Sequence, residues 1–155
     1  MTSLWPASFA ALFCLSAGAL AEAPPSRYSF ERAGVVYDLR TKLSWQREVP
    51  ASYSPTCASG IGCTLEEAVR YCRDLTAGGT TGWRLPTRAE LLSIVDRTEF
   101  DPAIDRQAFP STPSTSFWSS SPQAGSQGAV WCVDFYYGES RCDGAGVTSR
   151  VRCVR

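Results

Sequence analysis

The sequence predicts an α+β domain, two short helices packed on a mostly antiparallel sheet and stapled by disulfides. Three observations carry this. Short runs of aromatic and β-branched residues recur towards both ends of the chain, separated by turn residues, as strands are. In the middle, two Thr-x-x-Glu boxes each precede apolar residues at helical spacing. Finally, Cys57, Cys63, Cys72, Cys132, Cys142 and Cys153 remain once Cys14 is assigned to a leader. An even set of cysteines in an exported chain reads as a disulfide framework. The 155 residues suffice for one domain with a real core and are few for two.

The elements follow in order. "MTSLWPASFAALFCLSAGALA", residues 1–21, reads as a secretory signal: Phe9 to Leu20 form the apolar run and Ala19-Leu20-Ala21 the cleavage site. The run is too short to span a bilayer comfortably, so cleavage after Ala21 leaves no membrane anchor. Residues 22–27, "EAPPSR", form a proline-stiffened linker, and residues 28–155 a single domain. "RYSFERAGVVYDLRTKLSWQRE" gives the strands of a meander, broken at Ala33-Gly34 and at Arg40-Thr41-Lys42. "PASYSPTCASGIGC" is a loop. Thr64 and Glu67 cap a first helix whose apolar face is Leu65, Ala68, Val69, Cys72 and Leu75, with Gly78-Gly79 as its stop. Thr87 and Glu90 cap a second, with Leu91, Leu92, Ile94 and Val95 largely buried. Pro102, Pro110 and Pro113 keep the segment from Asp96 to about Thr115 irregular. "SFWSSS" is then a strand, "GAVWCVDFYYGESRC" a hairpin and "SRVRCVR" a closing strand.

Composition removes several functions. The formal charge balances to zero, so no global field points to nucleic acid or an anionic membrane. Histidine is absent, which removes the commonest general base and zinc ligand. No nucleophile elbow, phosphate loop or CxxC pair occurs, and no cofactor or metal site is expected. The acidic run Asp96, Glu99, Asp101 and Asp105 offers oxygen ligands, but Arg97 and Arg106 interleave it and a salt-bridged loop accounts for it better. Fourteen of the fifteen basic residues are arginine, the side chain suited to carboxylates and sulfates, but codon bias is the favoured explanation of that figure.

Taken in order, "VVYDLRTKLSWQR", "TLEEAVRYCRDL", "GWRLPTRAELLSIVD", "AFPSTPSTSFWSSSP", "AVWCVDFYYG" and "VRCVR" resemble the Lcl C-terminal domain, a module first described at the end of a bacterial collagen-like adhesin and long a domain of unknown function. The resemblance runs from about Gly34 to Arg155. It implies a C-type lectin-like fold, and the "RLPT-x-AE" pattern at 84–90 is shared with formylglycine-generating enzymes. The founding adhesin's domain binds sulfated glycosaminoglycans. The resemblance therefore implies an exported bacterial binding or adhesion module, periplasmic or extracellular, whose partner is a sulfated polysaccharide or an envelope or extracellular protein. The alternative is a structural protein–protein interaction module of the cell envelope. An enzyme of the formylglycine-generating type is the weakest reading, because its reactive cysteine pair has only Cys132 and Cys142 as counterparts and a hairpin disulfide explains those. A calcium-dependent lectin is disfavoured too, since no Glu-Pro-Asn loop occurs and "WCVD" stands where the metal-binding strand should be.

The residues fall into three groups. Trp83, Arg84, Leu85, Pro86, Thr87 and Glu90 read as architecture, with Trp83 and Leu85 pinning a strand end and Arg84 paired to Glu90 or Asp134. Arg141, Arg150, Arg152 and Arg155 are candidate ligand contacts; Arg150 and Arg152 share one face of the closing strand, opposite Val151 and Cys153. Tyr136 and Tyr137 at the hairpin tip are placed to stack on a sugar, pack on a partner or cap the core. The cysteines allow many pairings. Cys132 and Cys142 are equidistant from Tyr137 and face each other if the turn centres there. Cys72 on the first helix's apolar face suits Cys153 on the inward face of the closing strand, leaving Cys57 and Cys63 to each other. The bridges Cys72–Cys153 and Cys132–Cys142 also match the two disulfides that a C-type lectin-like fold implies.

Overall fold

The computed structural model describes residues 26–126, 128–143 and 146–155, with only the backbone of 142 and 143. The predicted signal at 1–21 and most of the linker lie outside the described residues. Where the linker enters the structure it is tied down. Arg27 pairs with the buried Asp38 at 2.6 Å and donates to the Ser93 carbonyl, so it belongs to the domain and not to a spacer.

The first sheet is the expected meander, β1 (Tyr28–Ser29), β2 (Val35–Asp38) and β3 (Leu43–Gln46), antiparallel in that order. Gly34 and Lys42, both at positive φ, make its two turns. Next, α1 (Leu65–Asp74) starts at Thr64, whose side chain accepts from Glu67 N–H while Glu67 accepts from Thr64 N–H. Its buried face is Ala68 and Cys72, with Leu65, Tyr71 and Leu75 partly covered. Val69, placed on that face by the sequence, is half exposed because it sits at the edge of the apolar stripe. The helix stops at Leu75, before the glycines. Gly78 and Gly79, both at positive φ, instead make a two-residue turn between Ala77 and Thr80, tight against Val35.

The short helix α2 (Arg88–Ser93) repeats the capping device with Thr87 and Glu90. It packs on a second antiparallel sheet of β4 (Ser116–Pro122), β5 (Val130–Asp134) and β6 (Glu139–Asp143). The strands therefore form two three-stranded sheets and not one. No described residue from 96 to 115 lies in a strand or helix, as the prolines require. Among the described residues no helix is long and apolar enough to cross a membrane.

The closing segment 149–155 is not a strand of either sheet. Ser149 bridges Cys63, Arg150 runs parallel to Phe117, and Val154 meets both Trp45 and Arg84. Each neighbour accompanies it for only one or two residues, too few for a ladder, but together they join the sheets. Ser44 and Arg155 exchange both backbone hydrogen bonds at 2.8 Å, and Arg84 and Val154 do so at 2.9 Å. Tyr53 clamps the middle: its hydroxyl donates to Val151 O and accepts from Val151 N–H. The core beneath holds Trp45, Trp118, Phe109, Phe117, Phe135 and Leu91, all essentially inaccessible.

Two bridges fix this arrangement. Cys57–Cys63 closes the loop before α1, and Cys72–Cys153 joins α1 to the C-terminal segment. The predicted Cys132–Cys142 bridge involves a side chain outside the described residues. The backbone register does correct the reasoning behind it. Cys132 lies opposite Arg141, and Cys142 opposite Trp131, because the hairpin centres between Tyr136 and Tyr137 and not on Tyr137.

Candidate functional site

The stretch 82–91 is architectural. Trp83 and Leu85 are buried, and Trp83 donates from its indole N–H to Thr80 O. Arg84 lies over the start of α2 and grips Glu90 with two hydrogen bonds, at 2.8 and 2.6 Å. The hydrogen bonds from the Arg84 guanidinium hold the Glu90 carboxyl below the usual range, aided by the Thr87 N–H that it also caps. Of the two acids proposed for Arg84, Glu90 is the partner, and Asp134 is engaged elsewhere.

Asp134 ends β5 and organises the hairpin tip. One carboxylate oxygen accepts from Tyr136 N–H at 2.7 Å, while the other lies 3.4 Å from Arg141 Nε. The next four residues make the turn, with Gly138 N–H donating to Asp134 O and Gly138 itself at φ 73°. Glycine is required here on a second count, because a Cβ would collide with Val95 Cγ1. Phe135 anchors the tip from below, buried edge-to-face on Phe117. The neighbouring loop holds it from the side: Ala103 N–H donates to Phe135 O and Asp101 N–H to Tyr136 O.

On this base stand Tyr136 and Tyr137, perpendicular, with ring centres 4.4 Å apart and 38% and 61% exposed. Phe100, one residue before the Asp101 that braces the tip, is 67% exposed. Arg106 donates to the carbonyls of Phe100 and Asp101 and fixes that loop. The structure thus gathers Tyr136, Tyr137 and Arg141 around Asp134 and adds Phe100, which the sequence reading passed over. The sequence carries no local signal for this exposure, because Ala103 and Ile104 follow Phe100 at helical spacing and let it read as part of a buried face.

The other arginines go elsewhere. Arg155 is exposed at a cavity of about 320 Å³ beside Glu31, Arg32 and Tyr37. Arg150 is half-buried and lines a larger cleft, about 710 Å³, with Gln46, Ser111 and Thr112. Arg152 corrects the expectation outright. It does not share a solvated face with Arg150 but is wholly buried, donating to the carbonyls of Gln46 and Arg47 and to Thr112 Oγ1. Its guanidinium stacks 4.7 Å from the centre of the Phe109 ring and 5.9 Å from that of Phe117. The parity argument fails because the C-terminal segment is covered on both faces: Val151 and Cys153 are as buried as Arg152.

Among the described residues no group of three or more Cys, Asp or Glu is placed to hold a metal ion. In the acidic run, Asp96 accepts from Thr98, and Asp105 caps the N–H groups of Gln107 and Ala108. The sequence profile of the Lcl C-terminal domain matches residues 34–155. No match is found among curated proteins.

Proposed function

The chain belongs to the Lcl C-terminal domain family, and from that premise we propose that it is an exported, non-catalytic binding module for anionic, sulfated glycans. The observation that carries the proposal is the tyrosine pair held with Arg141 around Asp134. A sugar ring has an apolar C–H face and a polar rim. An exposed aromatic face takes the first, and a guanidinium takes a sulfate or carboxylate on the second. The tip is braced from three sides, so little freedom is lost on binding. The disulfides support an oxidising location, periplasmic or extracellular. The two helices, the paired sheets and the Cys72–Cys153 bridge from helix to terminal segment support a C-type lectin-like architecture.

A protein partner of the envelope is the competing reading, and area argues against it. Covering what is exposed of Phe100, Tyr136 and Tyr137 would bury on the order of 300 Å². A stable protein interface needs roughly 800 Å² from each partner. The test compares dextran sulfate with neutral dextran across a salt series. Binding to the sulfated polymer should fall steeply with salt. Arg141→Ser should weaken it about tenfold, the loss expected for one charged hydrogen bond. Equal affinity for the two polymers, or no binding at low salt, would overturn the proposal.

A further inference from the structure

The C-terminal segment contains a feature that the hairpin reading leaves unused. Arg152 is buried, and its hydrogen-bond acceptors are all neutral, two carbonyls and a hydroxyl. Among the described residues no carboxylate lies within ion-pairing distance of it, and its Nε has no hydrogen-bond partner. Burial pushes Arg152 down to about 9, which still leaves it cationic at neutral pH. A whole positive charge therefore sits inside the protein with no carboxylate partner among the described residues. Such a charge, surrounded by low-dielectric material, projects its field where the covering is thinnest.

The covering is thin towards the cleft of about 710 Å³, because Gln46 and Thr112, two of the residues Arg152 bonds to, are part of the cleft wall. Arg150 lines the same cleft and forms no ion pair among the described residues. Among the described residues Glu48 is the one acid on the wall, so Arg150 and Arg152 together outweigh it by one charge. Val49, Pro50 and Pro113 supply apolar surface beside these groups. The volume falls in the range of small-molecule sites.

We infer that this cleft is a second binding site, for an organic oxyanion: a carboxylate or sulfate ester carried on a body with an apolar face. Arg150 makes the direct contact. Arg152 is a positioning residue that supplies charge from behind the wall while holding Gln46, Arg47 and Thr112 in place. The site shares no residue with the hairpin tip and does not depend on the glycan reading.

The experiment is an NMR titration of the oxidised protein with benzoate, phenyl sulfate and the neutral isostere benzamide. At least one of the anions should shift the amide signals of Ser111 and Thr112 and the Nε–H of Arg150 in a saturable way, with benzamide doing neither. The two anions separate carboxylate from sulfate recognition. Arg150→Ser should weaken binding at least tenfold with an unchanged melting temperature, Arg150→Lys should retain part of it, and Glu48→Gln should strengthen it. Tyr137→Ala should leave these shifts intact, which separates this site from the tip. Absence of saturable shifts with both anions, equal shifts with benzamide, or undiminished binding by Arg150→Ser would refute the site.

Discussion

The hairpin tip at 135–138 and the C-terminal segment at 149–155 each carry the aromatic or basic groups that ligands favour. In the folded protein they are opposites. The tip turns Tyr136 and Tyr137 outwards and buries only Phe135 and Gly138. The terminal segment is buried from Val151 to Val154 and turns an arginine inwards. The tip has one supporting sheet and open solvent beyond, so its turn can point two successive rings outwards above the buried Phe135. The terminal segment has neighbours on every side, Trp45, Arg84, Phe117 and Cys63 among those it bridges, so alternation there sorts nothing. A basic residue reads as a ligand contact only where the backbone has a free side.

The contrast predicts that the terminal segment governs stability and the tip governs binding. The largest effect should come from the bridge that seals the segment. Cys72–Cys153 spans 81 residues of sequence and Cys57–Cys63 only 6. In the chain-entropy model these stabilise by about 4.5 and about 2 kcal/mol. Urea unfolding of the two double alanine variants should show the first well below the second. Equal losses would mean that the segment stays docked without its bridge. Next, Arg152→Met keeps bulk and removes the charge, but leaves three buried acceptors without their donor. It should cost on the order of 3 kcal/mol. A neutral or stabilising result would show that the charge burial outweighs those bonds, as happens at some buried ion pairs.

A smaller effect tests the far edge of the same segment, where Arg84 pairs with Val154 through its backbone and with Glu90 through its side chain. Glu90→Gln keeps the cap and weakens the ion pair, costing about 1 kcal/mol at neutral pH. The sign with pH is fixed. Glu90 titrates lower in the folded chain than in the unfolded one, so its contribution is complete above the unfolded value of about 4.3. It is lost as pH falls through the lower folded value. Unfolding curves of wild type and variant should therefore converge in acid. Parallel curves down to the lowest pH would place the stabilisation outside this pair.

What could be read beforehand divides along the same line. Both helix starts were legible because a capping box is local chemistry: Thr64 with Glu67 and Thr87 with Glu90 lie three residues apart and complete their bonds without help from the rest of the chain. The meander and the later hairpin were legible from alternation and turn residues. The hairpin register was not. A turn over residues 135–138 with glycine last in it shifts the centre by half a residue, enough to put Cys132 opposite Arg141 and not Cys142. That choice is made by Val95 and Ala103, distant in sequence, which leave room only for glycine at 138. The burial of Arg152 and the exposure of Phe100 were hidden for the same reason, since each depends on what packs beside it from elsewhere in the chain.

The smallest predicted change in stability belongs to the tip, and it sharpens the comparison most. Replacing both Tyr136 and Tyr137 by Ser removes two large rings, a change that in a core would cost several kcal/mol. Here the rings rest chiefly on each other and on solvent, and the turn is held by backbone bonds from Asp134, Asp101 and Ala103 that the change does not touch. Stability should move by less than about 0.5 kcal/mol, as for other surface substitutions. Binding to dextran sulfate should fall at least tenfold, with the salt slope kept because Arg141 remains. Gly138→Ala is the companion variant: its Cβ would be driven into Val95, displacing the whole tip and lowering stability and binding together. If the serine variant unfolds as easily as the alanine one, the tyrosines cap the core after all. If it folds normally and binds as wild type, the exposed rings are not the contact surface.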